Sequence, residues 1–170
     1  MHKLKIFLVL TGYQITWLAC VFGESKFSYS LLGFWVGIIF LTIYFYFNHN
    51  KKKLIKILLS ISIPGYIFDT LMVYFQIYEF NTVSKFGTLP LWMIVLWLSF
   101  SVLFDEILNF FKNYKILGIV LSAILGPLTY YFGEPIGILS INELLTFFCM
   151  MIIFWGMLMI YYLNYAIKIN

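Results

Sequence analysis

Ser62, Gly65, Asp69 and Gln76 are spaced by 3, 4 and 7 residues, so a helix through this segment carries them on one narrow stripe. Asp69 stands in the middle of an apolar run. A carboxyl group at that depth of a membrane span costs roughly 2.5–3.5 kcal/mol on insertion scales, so it needs a partner, a proton or a use. The stripe is expected to face the interior of a helical bundle, because lipid offers its polar groups no partners. Pro64 donates no backbone N–H, which frees the carbonyl of Ser60 one turn before Asp69's own turn begins and favours a polar cavity there. General acid or base work at Asp69, or its reversible protonation in transport, is the chemistry such a site supports. A purely structural aspartate, bonded to neighbouring helices, is the plainer alternative.

A second stripe, Ser101, Asp105, Asn109 and Lys112, is spaced by 4, 4 and 3. Asp105 is the accessory catalytic candidate, and a Lys112–Asp105 pair near the interface is the simpler reading of it. Glu106 points about 100° away from Asp105 on the same helix. Gln14, one turn after Thr11 near the middle of the first apolar segment, can bridge helices or orient Asp69. The candidate set is therefore Asp69 and Asp105 as catalytic groups, with Gln14, Gln76, Glu106 and Asn109 as substrate contacts. His2 and His49 lie at a terminus and in a loop, and Cys20 and Cys149 fall in separate segments. No His/Cys cluster suits a metal, and no phosphate-binding glycine loop, nucleophile elbow or zinc-protease motif is present. No cofactor is expected.

The elements that must position these residues follow from composition. Hydrophobic residues make up 63% of the 170 and charged residues 11%, which excludes a soluble domain. The apolar stretches predict six transmembrane helices at about 5–22, 28–47, 55–78, 89–110, 116–133 and 143–166. This is an all-α polytopic bundle in a single domain, 1–170, with no internal repeat. On that reading, Lys3, Lys5, Lys51, Lys52, Lys53, Lys56, Lys112, Lys115 and Lys168 fall on one side, and only Lys26 and Lys85 on the other. The asymmetry predicts both termini in the cytoplasm and explains the net charge of +4 without nucleic acid. Lys3 and Lys5 before an apolar run resemble a signal peptide, yet five further spans follow, so the segment is read as a retained first helix. Tyrosines and tryptophans at the predicted span ends form the aromatic belt of a membrane protein. Gly118, Ser122, Gly126, Thr129 and Gly133 make a small-residue stripe for close helix packing, beside a kink at Pro127.

Several of these residues carry a resemblance: Gln14, Trp17, Ala19 and Cys20, then Gly65 with Asp69. It continues through Pro90, Trp92, Trp97 and Phe100, and ends in Gly126-Pro127-Leu128 with Tyr130 and Gly133. Over nearly its whole length the chain resembles a family of small uncharacterised bacterial inner-membrane proteins, known as a domain of unknown function. The resemblance implies six spans and residence in the bacterial inner membrane. Some members sit in gene neighbourhoods with fatty-acid-modifying enzymes. Many carry an Asn-His pair where this chain has Asp105-Glu106, so no fixed chemistry is implied there.

Three functions stay open at this point. The first is a polar pocket centred on Asp69 that handles or modifies a lipid or isoprenoid, enzymatically or not. The second is a small proton-coupled transporter, which with six unrepeated spans requires dimerisation. The third is a non-catalytic membrane assembly or accessory factor. Membrane lipids are the expected partners in the first reading, and a second copy or another membrane protein in the others; nucleic acid is excluded.

Overall fold

The computed structural model describes residues 2–25, 31–82 and 84–164, leaving out the side chains of 2–4, 24, 25, 105 and 109. Its helices are α1 (His2–Ser25), α2 (Leu32–Phe47), α3 (Lys51–Tyr74), α4 (Leu91–Glu106), α5 (Lys115–Tyr131), the single turn α6 (Gly133–Ile136) and α7 (Leu144–Asn164). A 3-10 segment, Leu108–Asn113, links α4 to α5. Four helical stretches, Lys5–Gly23, Lys51–Tyr74, Lys115–Ile136 and Leu144–Asn164, are long and apolar enough to cross a membrane. Leu32–Phe47 and Leu91–Phe104 are apolar but shorter. Outward faces are apolar too: Ile116 is 79% and Leu145 80% exposed, which suits lipid and not water. The chain is an all-α membrane protein.

Helix α4 is the hub. It packs on α1, α2 and α3, while α5 and α7 form a separate tight pair. Among the contacts that bring that pair to the rest are a ring stack and a hydrogen bond. Phe68 of α3 stacks on Phe154 of α7 at 3.9 Å between ring centroids, and Tyr162 of α7 donates a hydrogen bond to the carbonyl of Phe104 at 2.5 Å. Missing side chains set the helix approaches. A Cβ at Gly65 would lie 2.5 Å from Trp97 ring carbons, and one at Gly126 would collide with the Trp155 indole. The small-residue stripe of α5 is thus its seam with α7, since Gly126 seats Trp155 and Ser122 donates to the Trp155 carbonyl at 2.9 Å.

One end of the bundle holds structure that hydropathy does not reveal. β1 (Tyr78–Phe80) pairs antiparallel with β4 (Leu139–Ile141), with Glu79 opposite Ser140. β2 (Lys85–Phe86) pairs with β3 (Leu89–Pro90) across a turn in which Gly87 has φ +67°. The β1–β4 ladder ties the end of α3 to the start of α7 and buries Tyr78 completely. At the opposite end, Lys5 of α1 forms an ion pair with Glu106 of α4, and the Tyr44 hydroxyl of α2 donates to the same carboxylate at 2.6 Å.

Two helix boundaries differ from the sequence reading. The third predicted span, 55–78, is shifted toward its start. Asn50 caps α3 early, its side chain accepting from the Lys53 N–H at 3.1 Å, and the helix ends at Tyr74, after which the chain turns at Gln76, whose φ is +58°. The fourth, 89–110, is shorter as an α-helix because it turns 3-10 after Glu106.

Candidate functional site

Asp69 sits in the last third of α3 and is fully buried. Its Oδ1 accepts from the Tyr78 hydroxyl of β1 at 2.6 Å, and its Oδ2 accepts from Nε1–H of Trp97 of α4 at 2.7 Å. The Tyr130 hydroxyl of α5 lies 3.0 and 2.9 Å from the two oxygens and has one proton to donate between them. One carboxyl group therefore fastens four elements: α3, α4, α5 and the β1 strand. The local sequence makes this possible. Gly65, one turn before Asp69, is the slot into which the Trp97 indole fits, and the chain reversal at Gln76 returns Tyr78 over the same spot.

A cleft of about 240 Å³ lies beside this cluster. Tyr13 and Trp17 of α1 form one wall, the Trp97–Phe100–Phe104 face of α4 the floor, and the Gly118–Gly126 face of α5 the other wall, with Trp155 and Met159 of α7 behind. Twelve residues separate Gly118 from Tyr130 along α5, so at ~1.5 Å per residue the cleft runs about 18 Å along the bundle. Among the described residues, none of its lining side chains is charged. Three of its hydroxyls already donate within the protein: Ser122 to the Trp155 carbonyl, Thr129 to the Leu125 carbonyl, and Tyr130 to Asp69. The Trp155 indole N–H differs, being buried with no acceptor among the described residues. A buried donor left unpaired costs about 1–3 kcal/mol.

The structure separates the sequence candidates. Asp69 does not line the cleft, but two of its donors, Trp97 and Tyr130, do. Gln14 is on the exposed face of α1 and contacts neither Asp69 nor the cleft; the face of α1 that reaches inward carries Tyr13 and Trp17, one turn apart. Gln76 is exposed as well. It lies past the end of α3, so the helical register that aligned it with Asp69 no longer holds, and its backbone carbonyl instead accepts from Asn142 at 2.9 Å. Glu106 is at the far end of the bundle, engaged by Lys5 and Tyr44. The side chains of Asp105 and Asn109 lie outside the described residues. Among the described residues no cluster of three or more His, Cys, Asp or Glu is placed to hold a metal. Cys20 is buried and Cys149 exposed, both as free thiols.

Tyr78, Trp97 and Tyr130 were not in the candidate set. By sequence Tyr78 and Tyr130 lie at predicted span ends, where tyrosines are read as the interfacial belt, and Trp97, like Tyr130, enters otherwise only through the resemblance. That resemblance held the usable signal, since Gly65, Asp69, Trp97 and Tyr130 are all among its residues and all meet here.

Fold and site together define a helical membrane protein built around one buried carboxyl junction and an uncharged aromatic cleft. A family model described as a protein of unknown function (DUF2878) matches residues 6–161, and the chain belongs to that family. No curated protein matches the chain, and no solved structure does.

Proposed function

We propose that this protein is a six-span protein of the bacterial inner membrane, with both termini in the cytoplasm, that holds a lipid chain in the cleft between α1, α4 and α5. The observation that carries the reading is the cleft itself. It is larger than the roughly 150 Å³ at which an engineered apolar cavity takes up benzene, and it runs parallel to the helices. Its wall is aromatic and uncharged, which suits an acyl or isoprenoid chain and disfavours an ion or a polar solute. Lys5, Lys51, Lys52, Lys53, Lys56, Lys112 and Lys115 all lie toward the end where Lys5 meets Glu106, in keeping with a cytoplasmic face there.

Asp69 then works from behind the wall. It fixes Trp97 and Tyr130, and through them the shape of the cleft near its β-strand end. Both of its oxygens already accept hydrogen bonds, which favours binding over turnover at this group. Native mass spectrometry of the protein, extracted gently and then stripped and reloaded, tests the reading. Retention of one lipid by the wild type, and its loss when Gly126→Leu pushes a side chain toward Trp155, is expected. Equal lipid retention by the two would refute the cleft as the site. Lipid profiles of a deletion strain and reporter fusions at both termini test the biological role and the topology.

A further inference from the structure

The cleft has a basic rim at one end, and that rim narrows the class of lipid, an inference that rests on the reading of the cleft as a lipid site. Its lining runs along α4 to Leu108 and Phe111 of the 3-10 segment and meets α5 at Gly118. Phe111 packs over Gly118, where an added Cβ would lie 3.0 Å from it, and the two mark the end of the cleft. Lys112 directly follows Phe111. Lys115 opens α5 three residues before Gly118, about 4.5 Å along the axis at ~1.5 Å per residue. Lys112 is half-buried and Lys115 exposed. Tyr114, between them, lies 5.2 Å from Phe110 between ring centroids, and both rings are exposed, which suits the headgroup boundary.

Among the described residues, no carboxylate pairs with either lysine; the ion pair formed there joins Lys5 to Glu106. Seven residues would set Lys112 above Asp105 in an unbroken α-helix. However, α4 ends at Glu106, and the 3-10 segment, with about 3 residues per turn, removes that register. The other end of the cleft has the opposite balance. Tyr130 is bonded there to the Asp69 carboxyl group, and Glu79, Glu134 and Glu143 face Lys85 as the described charges of the β-strand end. An anionic headgroup is therefore favoured at one end of the cleft and disfavoured at the other. The lysine end is also where a lipid has access from the side. Helix α1 lines the cleft with Tyr13 and Trp17 and, among the described residues, with nothing nearer its start.

We propose that the cleft holds one acyl chain of an anionic phospholipid from the cytoplasmic leaflet, with its phosphate between Lys112 and Lys115. The chain enters on the side that α1 leaves unlined and follows the glycine face of α5 toward Tyr130. Diffuse attraction of any basic membrane face for anionic lipid is the competing explanation. Lys52 and Lys56 isolate that effect, because both are exposed on α3, which contributes no described residue to the cleft lining.

The test uses the full-length protein, stripped of lipid and reloaded from an equimolar mixture of phosphatidylglycerol and phosphatidylethanolamine with identical chains. Retention is read by native mass spectrometry. Wild type is expected to retain one phosphatidylglycerol in preference. That preference should fall about tenfold in Lys112→Gln/Lys115→Gln, persist in Lys52→Gln/Lys56→Gln, and vanish with all retention in Gly126→Leu. Excess glycerophosphoglycerol, the headgroup without chains, should not displace the lipid. Equal retention of the two lipids by wild type overturns the proposal without need of a variant, and leaves the lipid cleft in place if Gly126→Leu still abolishes retention. A preference unchanged in Lys112→Gln/Lys115→Gln, or lost equally in Lys52→Gln/Lys56→Gln, overturns it as well, as does displacement by the free headgroup. Lipid retention that Gly126→Leu leaves unchanged, or none in wild type, overturns both readings.

Discussion

Replacing Asp69 gives a graded result that depends on which partners can reverse their hydrogen bonds. Tyr78 and Tyr130 meet Asp69 through hydroxyls, which donate or accept, whereas the Trp97 indole N–H only donates. Asp69→Asn can keep its amide oxygen on Trp97 and turn its NH₂ toward the two hydroxyls. All three contacts then survive as neutral bonds, and the expected loss is about 1 kcal/mol. Asp69→Leu has similar bulk and no acceptor. It strands three buried donors, and side-chain bonds in membrane proteins average about 0.6 kcal/mol with a maximum near 1.7, so the expected loss is about 2–5 kcal/mol. A double-mutant cycle with Trp97→Phe should then show a coupling of about 1 kcal/mol, because the indole donor is the partner that cannot adapt. Unfolding by SDS titration in mixed micelles, followed by far-UV circular dichroism, measures the wild type and each of these variants. Asp69→Asn as damaging as Asp69→Leu, or Asp69→Leu without effect, would refute the carboxyl junction.

Three further outcomes follow from named contacts. Gly65→Val drives side-chain carbons into the Trp97 indole and is expected to destabilise by more than about 2 kcal/mol in the same titration; a loss under about 0.5 kcal/mol would mean that the indole is not seated there. Lys5→Gln breaks the ion pair at the opposite end, where Lys5 is 46% exposed, and should cost under about 1 kcal/mol, whereas Glu106→Leu, which removes the ion pair and also the carboxylate to which the Tyr44 hydroxyl donates, should cost more. In cells, Asp69→Asn is expected to retain the activity of the wild type in complementing a deletion, since shape and not protonation is what Asp69 supplies; complete loss of function at normal protein levels would point instead to a proton-dependent role.

Membrane character was legible because it depends on bulk apolarity; each of the six predicted apolar segments overlaps a helix, four of them long enough to cross a membrane, while the predicted bounds at 28 and 166 lie outside the described residues. The Asp69 stripe was legible in part. Ser62, Gly65 and Asp69 are all buried on α3, but Gln76 left the stripe because the helix ends at Tyr74 and the chain turns through a left-handed residue. Periodicity cannot see that ending, since the apolar run continues through Ile77 and Tyr78. Gln14 was misplaced for a different reason. A polar side chain in an apolar helix was assumed to point inward, yet Tyr13 and Trp17 bring larger surfaces to the interior and leave Gln14 outside. The two short β-ladders were invisible because strands of two or three residues carry no period, and one of them, β1–β4, holds Tyr78 where it meets Asp69. Tyr130 and Trp97 belong to helices far from α3 in sequence, so only tertiary packing, or their joint appearance in a family pattern, connects them to the carboxyl group.

The most direct measurement is a cryo-EM structure of the protein in nanodiscs made with brominated-chain lipid, enlarged for imaging by a rigid antibody fragment. Bromine density inside the cleft, against Phe100 and the glycine face of α5 and absent from Gly126→Leu, is the expected result. A cleft closed by its own side chains, with bromine only on the outer faces of the helices, would contradict lipid binding there.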